Sequence, residues 1–180
     1  MLLLRIMRFY TPEFIKKKKL WELFRLTADA FQSEPPELRG LSFAGCLSKY
    51  ALYTREEAEG FLQSGRPPEE VRRRLYQNSF VFGQHLKQSL HIASRTDAVA
   101  ALKVIYQLIG IDFQSEGQGG FTIKQCFFSQ YYSAAVCRLI SSLDEGLAAG
   151  LSGGGTLRFE QRMTEGGDCC KGYFMPGAGK

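Results

Sequence analysis

The chain has 180 residues, of which 44% are apolar and 23% are charged, and its formal net charge is +5. This length and composition are typical of one globular domain with a sizeable core and exclude an intrinsically disordered chain. The main basic runs, Lys16–Lys19 and Arg72–Arg74, lie in helical patterns typical of solvated faces, so we expect no nucleic-acid partner. The odd number of cysteines, five, favours free thiols or a metal in a reducing cytoplasm over a disulfide scaffold.

The chain begins with the apolar segment Met1–Met7. This segment is too short to span a bilayer, and no signal-peptide cleavage pattern follows it, so we expect no membrane partner. It fits either an edge strand or the lead-in to the first helix.

Two helical segments are predicted before residue 66. Thr11 as N-cap and Pro12 at the first helical position begin the first of them. The run Leu41–Tyr53 is apolar and small, and we expect its Cys46 to behave as a buried hydrophobic residue. A capping box at Thr54–Glu57 then predicts a second, short helix.

Two further helices complete the helical half of the chain. Pro67–Pro68 begins the longest one, whose amphipathic pattern extends to about His91. Gly83 within it permits the close approach of another helix. Thr96–Asp97 caps the next helix, which is apolar on several sides and ends at Gly110, so we expect it to be buried between neighbours.

Strand patterns begin after this helix. Ile111–Phe113 indicates a first strand and Phe121–Phe128 a second, with a glycine-rich turn between them. Simple alternation along the second strand places Ile123 and Cys126 on opposite faces.

A helix over about Ala134–Gly150 follows the second strand. Its Cys137, Ser141 and Asp144 lie along one side, because steps of three and four residues keep to one helix face. This helix therefore carries a thiol and a carboxylate beside its buried stripe.

The last part of the chain has the pattern of a β-hairpin. Thr156–Met163 and Cys169–Met175 are strands joined by a glycine-rich turn. Alternation places Arg158, Glu160 and Arg162 on one face. Glu160 either is satisfied by the two arginines on a solvated face or faces a cysteine across the sheet.

These patterns predict an α+β fold in which N-terminal helices pack on a C-terminal antiparallel sheet that contains a strand-helix-hairpin unit. We expect a single domain over residues 1–180. Its parts are a mainly helical half (1–110), a strand-helix-hairpin half (111–175) and a flexible tail (176–180).

Candidate metal ligands are spread over the strand-helix-hairpin unit, namely Cys126, Cys137, Glu160, Cys169 and Cys170. Thiolates bind zinc or iron well, and a carboxylate can complete such a set. The unit has neither a Cys-x-x-Cys pair nor a histidine. Because adjacent residues of a strand point to opposite faces, only one of the two neighbouring cysteines is expected to face a shared site.

The unit resembles a known family in several positions, namely Val136-Cys137, Gly146, Glu160, Gly166-Gly167-Asp168 and Cys170. It looks like the 4-vinyl reductase-type ligand-binding domain of phenol-sensing regulators and bacteriochlorophyll enzymes. In the sensors of that family a Cys, a Glu and two further Cys hold a structural zinc beneath an apolar pocket. The resemblance implies zinc on Cys137, Glu160 and Cys169 or Cys170. The family's middle cysteine falls at Met163 here, so Cys126 would take its place.

A second resemblance rests on Cys126-Phe127-Phe128, on Cys137 followed by Leu143-Asp144, and on Thr164-x-Gly166-Gly167-Asp168-x-Cys170. These residues are similar to the L-2-amino-thiazoline-4-carboxylate hydrolase-like family. For the hydrolases proper, the resemblance implies opening of a small heterocycle by water at a C–N bond. Cys126, Cys137, Asp144 and Cys170 are the matching positions. Both resemblances cover about the last third of the chain.

Three functions stay open. The first is a small-molecule-binding, sensor-like domain whose apolar pocket is lined or floored by Phe121, Phe127, Tyr131, Tyr132 and Phe159. The second is a C–N hydrolase in which Asp144 or Glu160 is the general base for water and Cys137 is a nucleophile or metal ligand. The third is an assembly module whose helical surface binds a protein partner. A homodimer is compatible with each of the three.

Overall fold

The computed structural model describes residues 11–175; Met1–Met7 and the tail 176–180 lie outside the described residues. The helices are α1 (Glu13–Phe31), α2 (Phe43–Gln63), α3 (Pro68–Ser89), α4 (Arg95–Leu108), α5 (Ala134–Ile140) and α6 (Ser142–Ser152). The strands are β1 (Ile111–Ser115), β2 (Gly120–Cys126), β3 (Thr156–Gln161) and β4 (Cys170–Met175). They form one antiparallel sheet in the order β1-β2-β4-β3, which confirms the α+β fold and the C-terminal hairpin.

The main core lies where the helices cover one face of this sheet. Its largest fully buried side chains include Phe24 of α1, Tyr106 of α4, Phe113 of β1 and Phe121 of β2. Rings from neighbouring elements stack in sequence: Phe113 lies 5.4 Å from Tyr106 and 5.3 Å from Phe121, between ring centroids. A second, smaller apolar cluster joins α1, α2, α3 and α5. None of the described helices combines the length and the apolar character needed to cross a bilayer.

Helices α3 and α6 cross with their backbones in contact. A Cβ atom added at Gly146 would lie 2.2 Å from the carbonyl oxygen of Tyr76, and one at Gly150 would lie 2.3 Å from that of Phe80. Gly83 faces α6 from the other side and has room for no Cβ atom either. The predicted close approach at Gly83 is therefore confirmed. Because side chains are absent from the crossing, α6 has a closely defined position on α3.

Helix α2 differs from the prediction, which placed a new helix start at Thr54. It is continuous through this position and begins at Ser42, whose hydroxyl accepts a hydrogen bond from the backbone N–H of Gly45 at 3.2 Å. The hydroxyl of Thr54 is buried inside the helix and donates to the carbonyl oxygen of Tyr50 at 2.8 Å. This local bond satisfies the hydroxyl within a helix, so the capping-box prediction was wrong.

Three other helix ends also move by one or two residues. Pro12, not Thr11, is the N-cap of α1. Helix α3 ends at Ser89, before the predicted His91, whose backbone has a positive φ of 52°. Helix α4 begins at Ser94, which forms a reciprocal capping box with Asp97.

We expect Ser94→Ala to destabilise the protein by about 1 kcal/mol, because it removes the hydroxyl that accepts from the Asp97 backbone N–H. Thr96→Ala is the matched control, since Thr96 is exposed in the first turn and the structure assigns it no cap. Urea unfolding followed by circular dichroism measures both variants. A larger loss in Thr96→Ala than in Ser94→Ala would contradict the observed cap.

The predicted helix over 134–150 is two helices, α5 and α6, that meet at Ser141. The hydroxyl of Ser141 donates to the carbonyl oxygen of Arg138 at 3.0 Å and accepts from Nη2 of Arg162 at 3.1 Å. A side-chain bond to the carbonyl three residues earlier competes with the regular helical bond, so the helix is interrupted here.

Two β-bulges change which residues face the helices. Ile111 pairs with Cys126 and Phe113 with Ile123, so β2 carries one extra residue and Cys126 turns to the same side as Ile123. This overturns the prediction that the two lie on opposite faces. A second bulge lies in β3 at Glu160, between the pairs Phe159↔Gly172 and Gln161↔Lys171.

The second bulge has the same effect on the end of β3. Simple alternation placed Arg162 beside Arg158 and Glu160 on the solvated face. In the structure Arg158 and Glu160 are exposed, whereas Arg162 is half-buried and faces the interior. The extra residue in the strand shifts the alternation by one position and explains this correction.

Candidate functional site

A cavity of about 100 Å³ lies in the middle of the fold, between the helices and the sheet. All six helices and all four strands, or the turns that follow them, contribute to its wall. Most of the wall is apolar and includes Leu23, Phe82, Ile105, Ile123, Ile140 and Leu147. Its polar side chains include Ser141 and Asp144 from the junction of α5 with α6, and Arg162 and Thr164 from the turn after β3.

Asp144 is the acidic side chain in this wall. It comes from the first turn of α6, and its Oδ1 accepts a hydrogen bond of 2.9 Å from the hydroxyl of Tyr106. The pKa of Asp144 is raised to about 7, mainly by burial and to a lesser extent by the nearby Glu145, while Tyr106 and Arg162 lower it. The carboxyl group can therefore hold or release a proton near neutral pH.

Arg162 is the basic side chain in the wall. Its guanidinium lies 4.8 Å from the ring centroid of Phe159, and Nη2 donates to Ser141. Its Nε is buried and has no hydrogen-bond partner. The hydroxyl of Thr164, two residues further on, is buried and also has no hydrogen-bond partner of good geometry. It lies close enough to Cys137 to lower the pKa of that thiol.

Three thiols face the cavity, from Cys126, Cys137 and Cys170. Burial raises the pKa of all three, that of Cys126 to about 12. The sulfur of Cys170 accepts a hydrogen bond of 3.5 Å from the backbone N–H of Met163. Protonated, buried thiols are poor nucleophiles, so these side chains act first as small apolar parts of the wall. Cys169 does not line the cavity, which shows that Cys170 is the inward member of the pair.

Some of the predicted catalytic residues line the cavity and one lies outside it. Cys137, Ser141 and Asp144 all line the cavity, as their spacing along one helix side predicts. Glu160 does not: it is exposed at the bulge of β3. No ion pair of Glu160 with an arginine occurs within residues 11–175.

Some of the predicted aromatic residues also line the cavity, whereas others lie outside it. Tyr132 and Phe159 line the cavity, and Phe128 joins them. Phe121 is buried in the core behind Phe159, at 5.3 Å between ring centroids. Phe127 and Tyr131 pack against the core without reaching the cavity wall.

The four predicted zinc ligands do not fit a common metal site in this arrangement. Cys126, Cys137 and Cys170 share the cavity, but Glu160 lies on the exposed side of β3. Within the described part of the chain, no group of three or more His, Cys, Asp or Glu residues is arranged to hold a metal ion. Zinc therefore stays a prediction of the resemblance, to be tested by metal analysis of the purified protein and of Cys137→Ala.

The pattern of the sequence did not identify Tyr106, Arg162 or Thr164 as site residues. Tyr106 lies in a helix that is apolar on several sides, where one tyrosine carries no signal of its own. The bulge hid Arg162, since alternation assigned it to the solvated face. The sequence contains no signal for the contact of Tyr106 with Asp144. The two residues are 38 positions apart, and only the fold brings them together.

Neither a family model nor a curated protein matches this sequence. The two resemblances described above therefore stay predictions, and the functional argument rests on the geometry of the cavity.

Proposed function

We propose that this chain is a small-molecule-binding, sensor-like α+β domain whose ligand occupies the central cavity. The observation that carries the proposal is an interior cavity whose wall is mainly apolar and includes a few polar side chains, among them Asp144 and Arg162. Such a combination is typical of ligand sites, where the apolar wall supplies affinity and a few polar groups set orientation.

The energetic cost of the cavity supports a role in binding. An apolar void destabilises a protein by about 24 cal/mol per Å³, so a cavity of about 100 Å³ costs roughly 2 kcal/mol. A ligand that fills the cavity would recover this free energy on binding.

The cavity can be tested by filling it. Cys126→Phe places an aromatic ring where a small thiol lines the wall, so binding of small probes such as benzene, phenol or butyrate is expected to weaken at least tenfold, about 1.4 kcal/mol. Thermal shift and isothermal titration calorimetry measure this loss. Cys126→Ala is the matched control, because it removes the thiol and leaves the space. Equal binding by wild type and Cys126→Phe would place the ligand elsewhere.

The second candidate function is hydrolysis of a C–N bond in a small heterocyclic acid. It is favoured by Asp144, because burial raises the pKa of this carboxyl group to about 7. A carboxylate with such a pKa is suited to be a general base for water. In this proposal Asp144 is the base instead of Glu160, because Glu160 lies outside the cavity. Turnover of a thiazoline carboxylate should vanish in Asp144→Asn and in Cys137→Ser. An inactive wild type would count against this function and leave the binding proposal intact.

A further inference from the structure

Arg162 forms no ion pair within residues 11–175, although Asp144 and Glu145 lie near enough for its charge to lower the pKa of both carboxyl groups. No carboxylate lies within 4 Å of its guanidinium in residues 11–175, whereas Arg74 and Arg138 pair with Glu70 and Glu165. A buried cation without a counter-charge is costly, and native proteins normally pair it. Its Nε is also left without a hydrogen-bond partner on the wall of the cavity.

Asp144 lines the same cavity and supplies only part of the missing charge, since it interacts with Arg162 without direct contact. Its carboxyl group is hydrogen-bonded to Tyr106 and forms no ion pair with Arg162. Burial raises its pKa to about 7, so near neutral pH a large fraction of the group is protonated and neutral. The positive charge of Arg162 is therefore only partly balanced by the protein.

A second polar group on this wall has no hydrogen bond of good geometry, although it lies close enough to the Cys137 thiol to lower the pKa of that thiol. The hydroxyl of Thr164 is buried and lies on the same wall, two residues after Arg162. Buried polar atoms without partners are rare in native proteins, and two on one cavity indicate a missing acceptor. Other unpartnered arginine nitrogens, in Arg55 and Arg74, belong to residues that do not line this cavity.

We propose that the cavity binds a small organic carboxylate whose two oxygens accept hydrogen bonds from the guanidinium of Arg162 and the hydroxyl of Thr164. Charge-assisted bonds of this kind are stronger than neutral ones and orient a planar anion. Phe159 lies against the guanidinium and holds its plane, while Ile123, Ile140 and Leu147 receive the apolar part of the ligand. This inference rests on the proposed function and adds the chemical class of the ligand and the residue that recognises it.

The volume of the cavity limits the ligand further. An apolar cavity of about 150 Å³ holds a benzene molecule, and this one measures about 100 Å³. The ligand class is therefore a short-chain or small-ring monocarboxylate. Suitable probes are butyrate and cyclopropanecarboxylate, each compared with its amide, which has the same shape and no charge.

Isothermal titration calorimetry and thermal shift at neutral pH test the inference. Wild type is expected to bind each acid at least tenfold more tightly than its amide, about 1.4 kcal/mol. Arg162→Met should abolish this preference, because it removes the guanidinium and keeps an unbranched side chain at the same place in the wall. Arg158→Met is the matched control, because Arg158 lies on the exposed face of the same strand, and it should keep the preference. Arg162→Gln replaces Arg162→Met if the latter does not fold.

The possible results separate the two proposals. Equal binding of acids and amides, unchanged in Arg162→Met, would overturn the carboxylate inference and leave the binding function standing. Wild type that binds neither the acids nor the amides, nor benzene and phenol, would overturn the binding function and the inference together. A preference for acids that persists in Arg162→Met would assign their recognition to another group and reject the role of Arg162.

Discussion

Gly146→Ala is expected to destabilise the protein by about 3 kcal/mol, the upper range for overpacking a close-packed interior. The new methyl group would lie 2.2 Å from the carbonyl oxygen of Tyr76 and 2.6 Å from the hydroxyl oxygen of Ser79. Backbone atoms cannot rotate away as a side chain can, so helices α3 and α6 must separate. The gain in helix propensity from glycine to alanine, about 1 kcal/mol, offsets only part of this cost.

Urea unfolding monitored by circular dichroism measures the change in the free energy of unfolding. Gly60→Ala is the matched control, since Gly60 also lies within a helix but has no atom within 4 Å of the added Cβ. This variant should be more stable than wild type by about 0.5–1 kcal/mol, because alanine restricts the unfolded chain. A neutral Gly146→Ala would mean that the backbones of α3 and α6 are not in contact.

Asp144→Asn is expected to change how stability depends on pH. Burial raises the pKa of Asp144 from 3.8 to about 7 in the folded state, so between these values the folded protein binds a proton that the unfolded chain has lost. The contribution of the wild-type carboxyl is therefore fully present below pH 4 and is lost as the pH rises through 7. Asparagine has no such loss and still offers an oxygen to Tyr106.

The difference in unfolding free energy between Asp144→Asn and wild type should thus grow in favour of the variant from pH 4 to pH 8. At about 1.4 kcal/mol per pKa unit, the increase is expected to be about 2–4 kcal/mol. Chemical unfolding at a series of pH values measures it. Asp168→Asn, which removes an exposed carboxylate from the hairpin turn, is the control for a change of surface charge. A constant difference from pH 4 to pH 8 would show that Asp144 is not buried as described.

The order of the elements follows from the sequence because helical and strand periodicities reflect burial on one face. Gly83 predicts the helix crossing, and the glycine-rich turns predict the hairpin. Helix starts were less predictable, since a hydroxyl such as that of Thr54 can bond its own helix or cap a new one with the same neighbouring residues. Only the packing of α2 decides between the two.

The site was harder to predict because it depends on two strand irregularities. Alternation misplaced Cys126 and Arg162, each beyond a bulge that adds one residue to its strand. A hydrophobic pattern gives no reliable sign of a single inserted residue. Such an insertion moves every later side chain of the strand to the opposite face of the sheet. Asp144 and Cys137 were found although the helix is interrupted between them, because Ser141 keeps a right-handed helical backbone (φ −61°, ψ −11°) and so preserves the three- and four-residue periodicity.

Under the proposed function, the contact between α3 and α6 gives the polar side chains around the ligand unequal freedom to adapt. Asp144 belongs to a helix that touches its neighbour through backbone atoms, whereas Arg162 and Thr164 belong to the turn that follows β3. A slightly larger ligand is therefore accommodated by displacement of this turn, and chemical-shift changes on binding should concentrate there. During evolution, substitutions in this turn can therefore alter ligand preference, while the contact of α3 with α6 preserves the chemistry of the Asp144 carboxyl group.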